Sequence, residues 1–155
     1  MTFRLSKDNR KYFTGISKQF RVDLDMFYLC LMMGIAANHK SDVTGTGDLI
    51  NYWPDKYNDY ANFIIGILLF VEAKNVGIDI SNKDTTSNHL NTFLDPSERS
   101  KLSLAKGFKE ANRYANGGME ILVQKIPPPQ LLGEFLVKYQ AVLKEEIKKN
   151  NNFEF

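Results

Sequence analysis

One stretch of the chain constrains the fold more than any other: residues Asp23–Asn38, which are apolar at nearly every position around a helix. The stretch is shorter than the roughly 20 residues that a helix needs to cross a bilayer. A helix that is apolar all round must be covered by other segments. The sequence therefore predicts a buried central helix, with Asp23 capping its start and Asn38 ending it.

Apolar residues recur at helical spacing along most of the remaining chain, and no alternating strand pattern is found. We therefore predict an all-α fold: a single compact domain of about six helices over residues 1–155, with 150–155 as a frayed tail. Polar loops, glycines and prolines separate the helices. We place the helices at 7–19, 23–38, 59–75, within 82–95, 103–125 and 130–149.

Glycines mark three further features of the predicted helices. Gly77 follows the third helix and is expected to be its left-handed cap. Gly117 and Gly118 interrupt the fifth helix, where each costs about 1 kcal/mol relative to alanine, so a kink or a close contact with another backbone is predicted. Gly66 is expected to face Gly34 and to allow the third and central helices to approach closely.

The residues of common catalytic and metal sites occur singly. Cys30 is the only cysteine and lies in the central helix, where it is expected to be a core residue. His39 is expected at a helix end, and the loop of residues 39–48 lacks the lysine and the spaced third glycine of phosphate-binding motifs. We therefore expect no enzyme activity, no metal and no cofactor. The N-terminus lacks the apolar core of a signal peptide, so a cytoplasmic protein without membrane contact is expected.

Positive charge is concentrated at the start of the chain. Residues 1–21 hold six basic residues against one acidic residue, a net charge of +5, whereas the whole chain carries +2. The N-terminal basic segment consists of Arg4, Lys7, Arg10, Lys11, Lys18 and Arg21. In a helix of residues 7–19, the lysines with Arg10 lie opposite an apolar face. A solvated surface and a surface that contacts nucleic-acid phosphates both fit this pattern. A membrane-surface role is disfavoured, because the apolar face is needed for the core.

Three segments, taken in order, form a pattern across most of the chain. They are Phe3-Arg4-Leu5-Ser6 before Lys7 and the central helix; Gly47-Asp48-Leu49-Ile50 before Tyr57 and the helix around 64–69; and 116–122 before Leu131 and Phe135. In this order they resemble the DndE family, the small accessory proteins of bacterial DNA phosphorothioation systems. The chain departs from the family's pattern in having no arginine within 25–30, and Gly117 where the family has arginine.

The resemblance implies a helical, oligomer-forming, non-catalytic subunit that supports DNA modification. Carried over by position, it implies DNA contacts at Arg4 and Lys7, whereas the other contacts follow from the charge pattern alone. Our first hypothesis is an accessory subunit of a bacterial DNA-modification or antiviral defence system that binds DNA non-specifically. The alternative is a protein–protein adaptor of such a complex, whose basic segment meets an acidic partner. Assembly with other subunits is expected in both cases, and self-association into a homo-oligomer stays open.

Overall fold

The structure, a computed structural model, describes residues 2–42, 47–98, 101–103 and 106–150. Over these ranges the helices are α1 (Lys7–Tyr12), α2 (Leu24–Ala36), α3 (Ala61–Asn75), α4 (Lys83–Phe93), α5 (Gly107–Lys125) and α6 (Leu132–Asn150). The predicted all-α class, with six helices, is confirmed for the described part of the chain. Residues 151–155 of the predicted tail and 43–46 of the glycine-bearing loop lie outside the described residues.

The predicted central helix is α2, and it is buried on most sides. Nine of its 13 residues are buried, and they are Leu24, Met26, Phe27, Cys30, Leu31, Met33, Gly34, Ile35 and Ala36. The remaining positions, Asp25, Tyr28, Leu29 and Met32, are half-buried. Burial of this apolar surface is the main favourable contribution that α2 makes to folding.

The two ends of α2 are formed differently from each other. Asp23 occupies the N-cap position, but its side chain accepts no capping hydrogen bond, so the predicted cap is wrong. Instead, the carboxylate of Asp25 accepts from the backbone N–H groups of Arg21 and Val22. At the other end, Asn38 has a positive φ of 48° and ends the helix, as predicted. The N–H of His39 then donates to the carbonyl of Gly34, which completes a Schellman motif.

A short sheet, which the sequence did not predict, joins two distant segments. Strands β1 (Phe3–Arg4) and β2 (Asp48–Ile50) pair antiparallel, with Phe3 opposite Ile50. Strands of two and three residues are too short to show an alternating pattern. The pairing places the buried ring of Phe3 5.0 Å from that of Phe27 in α2.

The described residues divide into two compact units, the first of residues 52–111 and the second of 2–51 and 112–150. The core of the second unit includes an aromatic cluster between α1 and α6. Phe135 lies 5.9 Å from Phe13 and 6.4 Å from Tyr12, measured between ring centroids. The buried hydroxyl of Tyr12 donates to the carbonyl of Ile126, and that of Tyr139 donates to the carbonyl of Leu29 in α2. These bonds satisfy polar groups that burial would otherwise make costly.

Glycines bring α5 and α2 into backbone contact within the second unit. A Cβ at Gly118 would overlap the carbonyl oxygen of Cys30, and one at Gly34 would overlap the carbonyl oxygen of Tyr114. The predicted close backbone contact at Gly118 is therefore confirmed, and α5 continues through it. The thiol of Cys30 lies 3.6 Å from the sulfur of Met119 in this contact, and burial raises its pKa.

The first unit contains α3, α4 and the start of α5. Gly77 has a positive φ of 73° and ends α3, as predicted. Ser103, the predicted start of the fifth helix, precedes α5, and its hydroxyl accepts from the N–H groups of Lys106 and Gly107. The predicted pairing of Gly66 with Gly34 is wrong: Gly34 meets α5, and a Cβ at Gly66 would meet nothing within 4 Å.

Candidate nucleic-acid interface

The N-terminal basic segment is built from three local structures, not from one helix. The hydroxyl of Ser6 accepts from the N–H of Asn9 and caps α1, as the sequence predicts. However, α1 ends at Tyr12, so the predicted helix of residues 7–19 is wrong beyond that point. Gly15 lies against the backbone of Pro129, where a Cβ would overlap the carbonyl oxygen. This close approach requires a residue without a Cβ. The chain turns over residues 13–16, and a short 3-10 helix follows at Ser17–Gln19.

Consequently, the six cations do not share a single helix face. Arg4 lies in β1, whereas Lys7, Arg10 and Lys11 lie in α1. Lys18 belongs to the 3-10 helix, and Arg21 precedes α2. Lys7 and Lys11 are one helical turn apart in α1, so these two lysines still share one face of a helix, as predicted.

Arg4 and Arg10 are engaged by groups of the same unit. The Nε of Arg4 lies 2.7 Å from the Oδ1 of Asp48, in an ion pair whose side chains are about half exposed. The Nε of Arg10 donates to the carbonyl of Leu5 at 3.2 Å, and its terminal nitrogen lies 3.5 Å from the carbonyl oxygen of Asp48. Arg4 therefore links β1 to β2, and Arg10 links α1 to Leu5 and to β2. These contacts reduce what the two guanidinium groups can offer to a phosphate.

The other four cations are more accessible. Lys11 pairs with Asp8 at 3.1 Å, but both side chains are strongly exposed, at 78 % and 89 %. Such pairs contribute little and exchange readily with other partners. Lys7, Lys18 and Arg21 are exposed and form no ion pair with the described residues. These three side chains keep their full charge available to a ligand.

A polar stripe on α5 forms hydrogen bonds with the N-terminal basic segment, and it was not predicted. The amide of Asn112 accepts from the N–H of Arg4 at 2.8 Å and donates to the carbonyl of Thr2 at 3.0 Å. One turn later, Asn116 accepts from the side chain of Asn9 at 2.9 Å and donates to the carbonyl of Asp42 at 2.8 Å. The available signal was the repeat of polar residues at positions 112, 116 and 120, four residues apart.

The stripe ends at Glu120, whose carboxylate fixes the segment after α2. The Nε2 of His39 lies 2.8 Å from one carboxylate oxygen, and the hydroxyl of Ser41 donates to the other at 2.5 Å. The bond from Ser41, followed by that from His39, lowers the pKa of Glu120. His39 does lie just beyond the end of α2, as predicted, but it has a partner. Because Ser41 bonds the carboxylate and not the imidazole, the three residues do not have the serine–histidine–acid order of a catalytic triad.

We also searched the described ranges for a metal site, a membrane-spanning helix and a pocket. Among these residues, no three histidine, cysteine or acidic side chains gather in a group that could hold a metal ion. No described helix has both the length and the apolar character needed to cross a membrane. A groove of about 200 Å³ lies beside the proline run, lined by Pro127–Pro129 together with Leu131 and Lys138.

Comparison with known proteins gives no relative. The chain matches no family model, no curated protein and no solved structure.

Proposed function

We propose that the protein is a non-catalytic accessory subunit of a bacterial DNA-modification or anti-phage defence system, and that it binds DNA non-specifically through the N-terminal basic segment. The observation that carries the proposal is the exposure of Lys7, Lys18 and Arg21 without an ion pair to the described residues. A cation with no carboxylate beside it releases counterions from DNA when it meets a phosphate. The assignment to a modification or defence system depends on the resemblance to DndE.

The remaining cations of the segment, Lys11, Arg4 and Arg10, differ in how readily they can contact a phosphate. Lys11 exchanges Asp8 for a phosphate at small cost, because its ion pair is almost fully exposed. Arg4 and Arg10 add to the positive field while they keep their contacts with Asp48 and Leu5. Contacts of this kind reach phosphates and not base edges, so binding is expected to be independent of sequence.

The test is a titration of duplex DNA at several salt concentrations. We expect the logarithm of the affinity to fall linearly with the logarithm of salt for the natural chain. In the triple variant Lys7→Gln, Lys18→Gln, Arg21→Gln, the slope should decrease by roughly three, about one for each phosphate that the variant no longer neutralises. The fold should be unchanged, since these side chains form no ion pair with the described part of the chain.

A matched control separates local contacts from net charge. The variant Lys144→Gln, Lys148→Gln, Lys149→Gln removes the same charge from exposed positions at the end of α6. It should keep the natural slope. If both variants change the slope equally, the N-terminal basic segment is not the binding surface. If the natural chain binds no DNA at low salt but co-purifies with a partner subunit, the adaptor hypothesis replaces this one.

A further inference from the structure

Helix α3 presents an apolar face to solvent as well as to its core. Its buried side is formed by residues such as Ile64, Leu68 and Val71. On the opposite side, Phe63 remains 62 % exposed, and neighbouring Tyr60 is 61 % exposed. Large exposed side chains grouped on one face indicate an interaction surface more often than isolated ones do. A helix that is apolar on both sides normally has both sides covered.

The exposed face has a self-complementary order. At 100° per residue, six residues from the turn before α3 to its last turn share the face, and they are Asp59, Phe63, Gly66, Ile67, Phe70 and Lys74. Ile67 and Phe70 are half-buried, and the other four are exposed. From either end of the helix towards its centre, the face presents first a charged residue, then an aromatic residue, and then a small or branched residue. The two charges at the ends are opposite in sign.

We propose that this face is an isologous interface between two copies of the chain, with the two α3 helices packed antiparallel about a two-fold axis between Gly66 and Ile67. In that arrangement Asp59 faces Lys74 of the second copy, and Phe63 faces Phe70. Each of these contacts occurs twice because the axis relates the two copies. The inference does not depend on DNA binding.

Charge decides between the two directions of pairing. An antiparallel pair places an acidic end against a basic end at both extremities. A parallel pair would place Asp59 beside Asp59 and Lys74 beside Lys74, which like-charge repulsion disfavours. The self-complementary charges therefore favour a second copy of this chain as the occupant over an unrelated apolar helix.

The centre of the face is shaped for close approach. Gly66 has no heavy atom within 4 Å of an added Cβ, so there is space above the helix at this point. The branched side chain of Ile67 from the second copy fills that space, and the reduced bulk at the axis lets the helices pack at the short end of the usual 8–10 Å range. The flanking aromatic rings, on both sides of the axis, form the largest apolar contacts.

Sedimentation of the full chain between about 1 and about 100 μM tests the proposal, and we expect a concentration-dependent dimer. Phe63→Glu should weaken association at least about tenfold, because it places a carboxylate against Phe70 of the second copy. The matched control is Val76→Glu, which changes an equally exposed apolar residue, 63 % exposed, at the C-cap of α3 and outside the six-residue face. It should leave association unchanged. Cys30 is fully buried, so disulfide formation cannot mimic the dimer.

A charge exchange tests the direction of pairing. Asp59→Lys alone and Lys74→Asp alone should each weaken the dimer, since each creates two like-charge contacts. The double variant should restore the natural affinity. A chain that stays monomeric over the whole concentration range, a dimer insensitive to Phe63→Glu, or a double variant as weak as the single ones would overturn the proposal. DNA binding measured on a monomeric variant would separate this result from the proposed function.

Discussion

Gly118 of α5 lies directly against the backbone of Gly34 in α2: a Cβ at Gly118 would lie 2.6 Å from the backbone nitrogen of Gly34. Two helix backbones meet here without side chains between them. The contact explains why α5 keeps a glycine in its interior, where the residue is unfavourable for helix formation.

We therefore expect Gly118→Ala to destabilise the protein by about 3 kcal/mol or more, because neither backbone can move away as a flexible side chain could. Denaturant unfolding measures the difference in stability. Gly133→Ala is the matched control, since Gly133 lies in α6 with nothing within 4 Å of an added Cβ. That variant should be neutral or more stable by up to about 1 kcal/mol. Similar stability of the two variants would show that the backbone contact is absent.

Asn116 provides a second test, because its amide connects α1 with the segment after α2. Asn116→Ala removes both hydrogen bonds and leaves the carbonyl of Asp42 without this donor. We expect a decrease of about 1–3 kcal/mol in the free energy of unfolding. Asn88→Ala, at an exposed position of α4, should change stability by less than about 0.5 kcal/mol. If Asn116→Ala did not change the unfolding midpoint, the two hydrogen bonds of Asn116 would not contribute to stability as proposed.

The lowered pKa of His89 leads us to predict how stability changes with pH. Burial, followed by the positive charge of Lys106, lowers the pKa of His89 below its ordinary value, against an opposing effect of Glu72. The ring packs 4.9 Å from Phe93, and its buried Nε2 has no hydrogen-bond partner among the described residues. Because the unfolded chain takes up the proton at higher pH, His89 contributes its full stability above the unfolded pKa. That contribution is lost as the pH falls towards the folded pKa.

The measurement compares unfolding midpoints at about pH 7.5 and about pH 5.5, which bracket histidine titration. The natural chain should be less stable at the lower pH. His89→Phe retains a ring against Phe93 but cannot take up a proton, so its midpoint should fall less. His39→Gln serves as the control and should keep the dependence due to His89. An equal fall for His89→Phe and the natural chain would show that His89 is not responsible.

The helices were predicted well, but the surface they form was not. Apolar spacing and terminal residues located all six helices, and Gly77 and Asn38 end theirs with the positive φ that such caps require. The predicted extension of α1 to residue 19 was wrong: the helix ends at Tyr12, and Gly15 lies against Pro129, more than a hundred residues away in sequence. Because Lys18 and Arg21 lie outside α1, their arrangement could not follow from the periodicity of one helix.

The partners of the charged residues show the same limit. Arg4 is in the basic segment by sequence, but its ion pair with Asp48 depends on the pairing of β1 with β2. His39 looked isolated, yet Glu120, 81 residues away, lies 2.8 Å from it. The stripe of Asn112 and Asn116 was visible as a spacing but had no meaning until the N-terminal segment was placed against it.

Three properties could be predicted from the sequence alone: the helical class, the buried character of α2 and the concentration of positive charge in the first 21 residues. These properties depend on the composition of the chain and on interactions within a few turns of helix, so they can be read locally. Three others required the tertiary structure: which cations form no ion pair with the described residues, which helix lies against Gly34, and which face of α3 is exposed. Those outcomes depend on contacts between segments distant in sequence, and local spacing carries no information about such contacts.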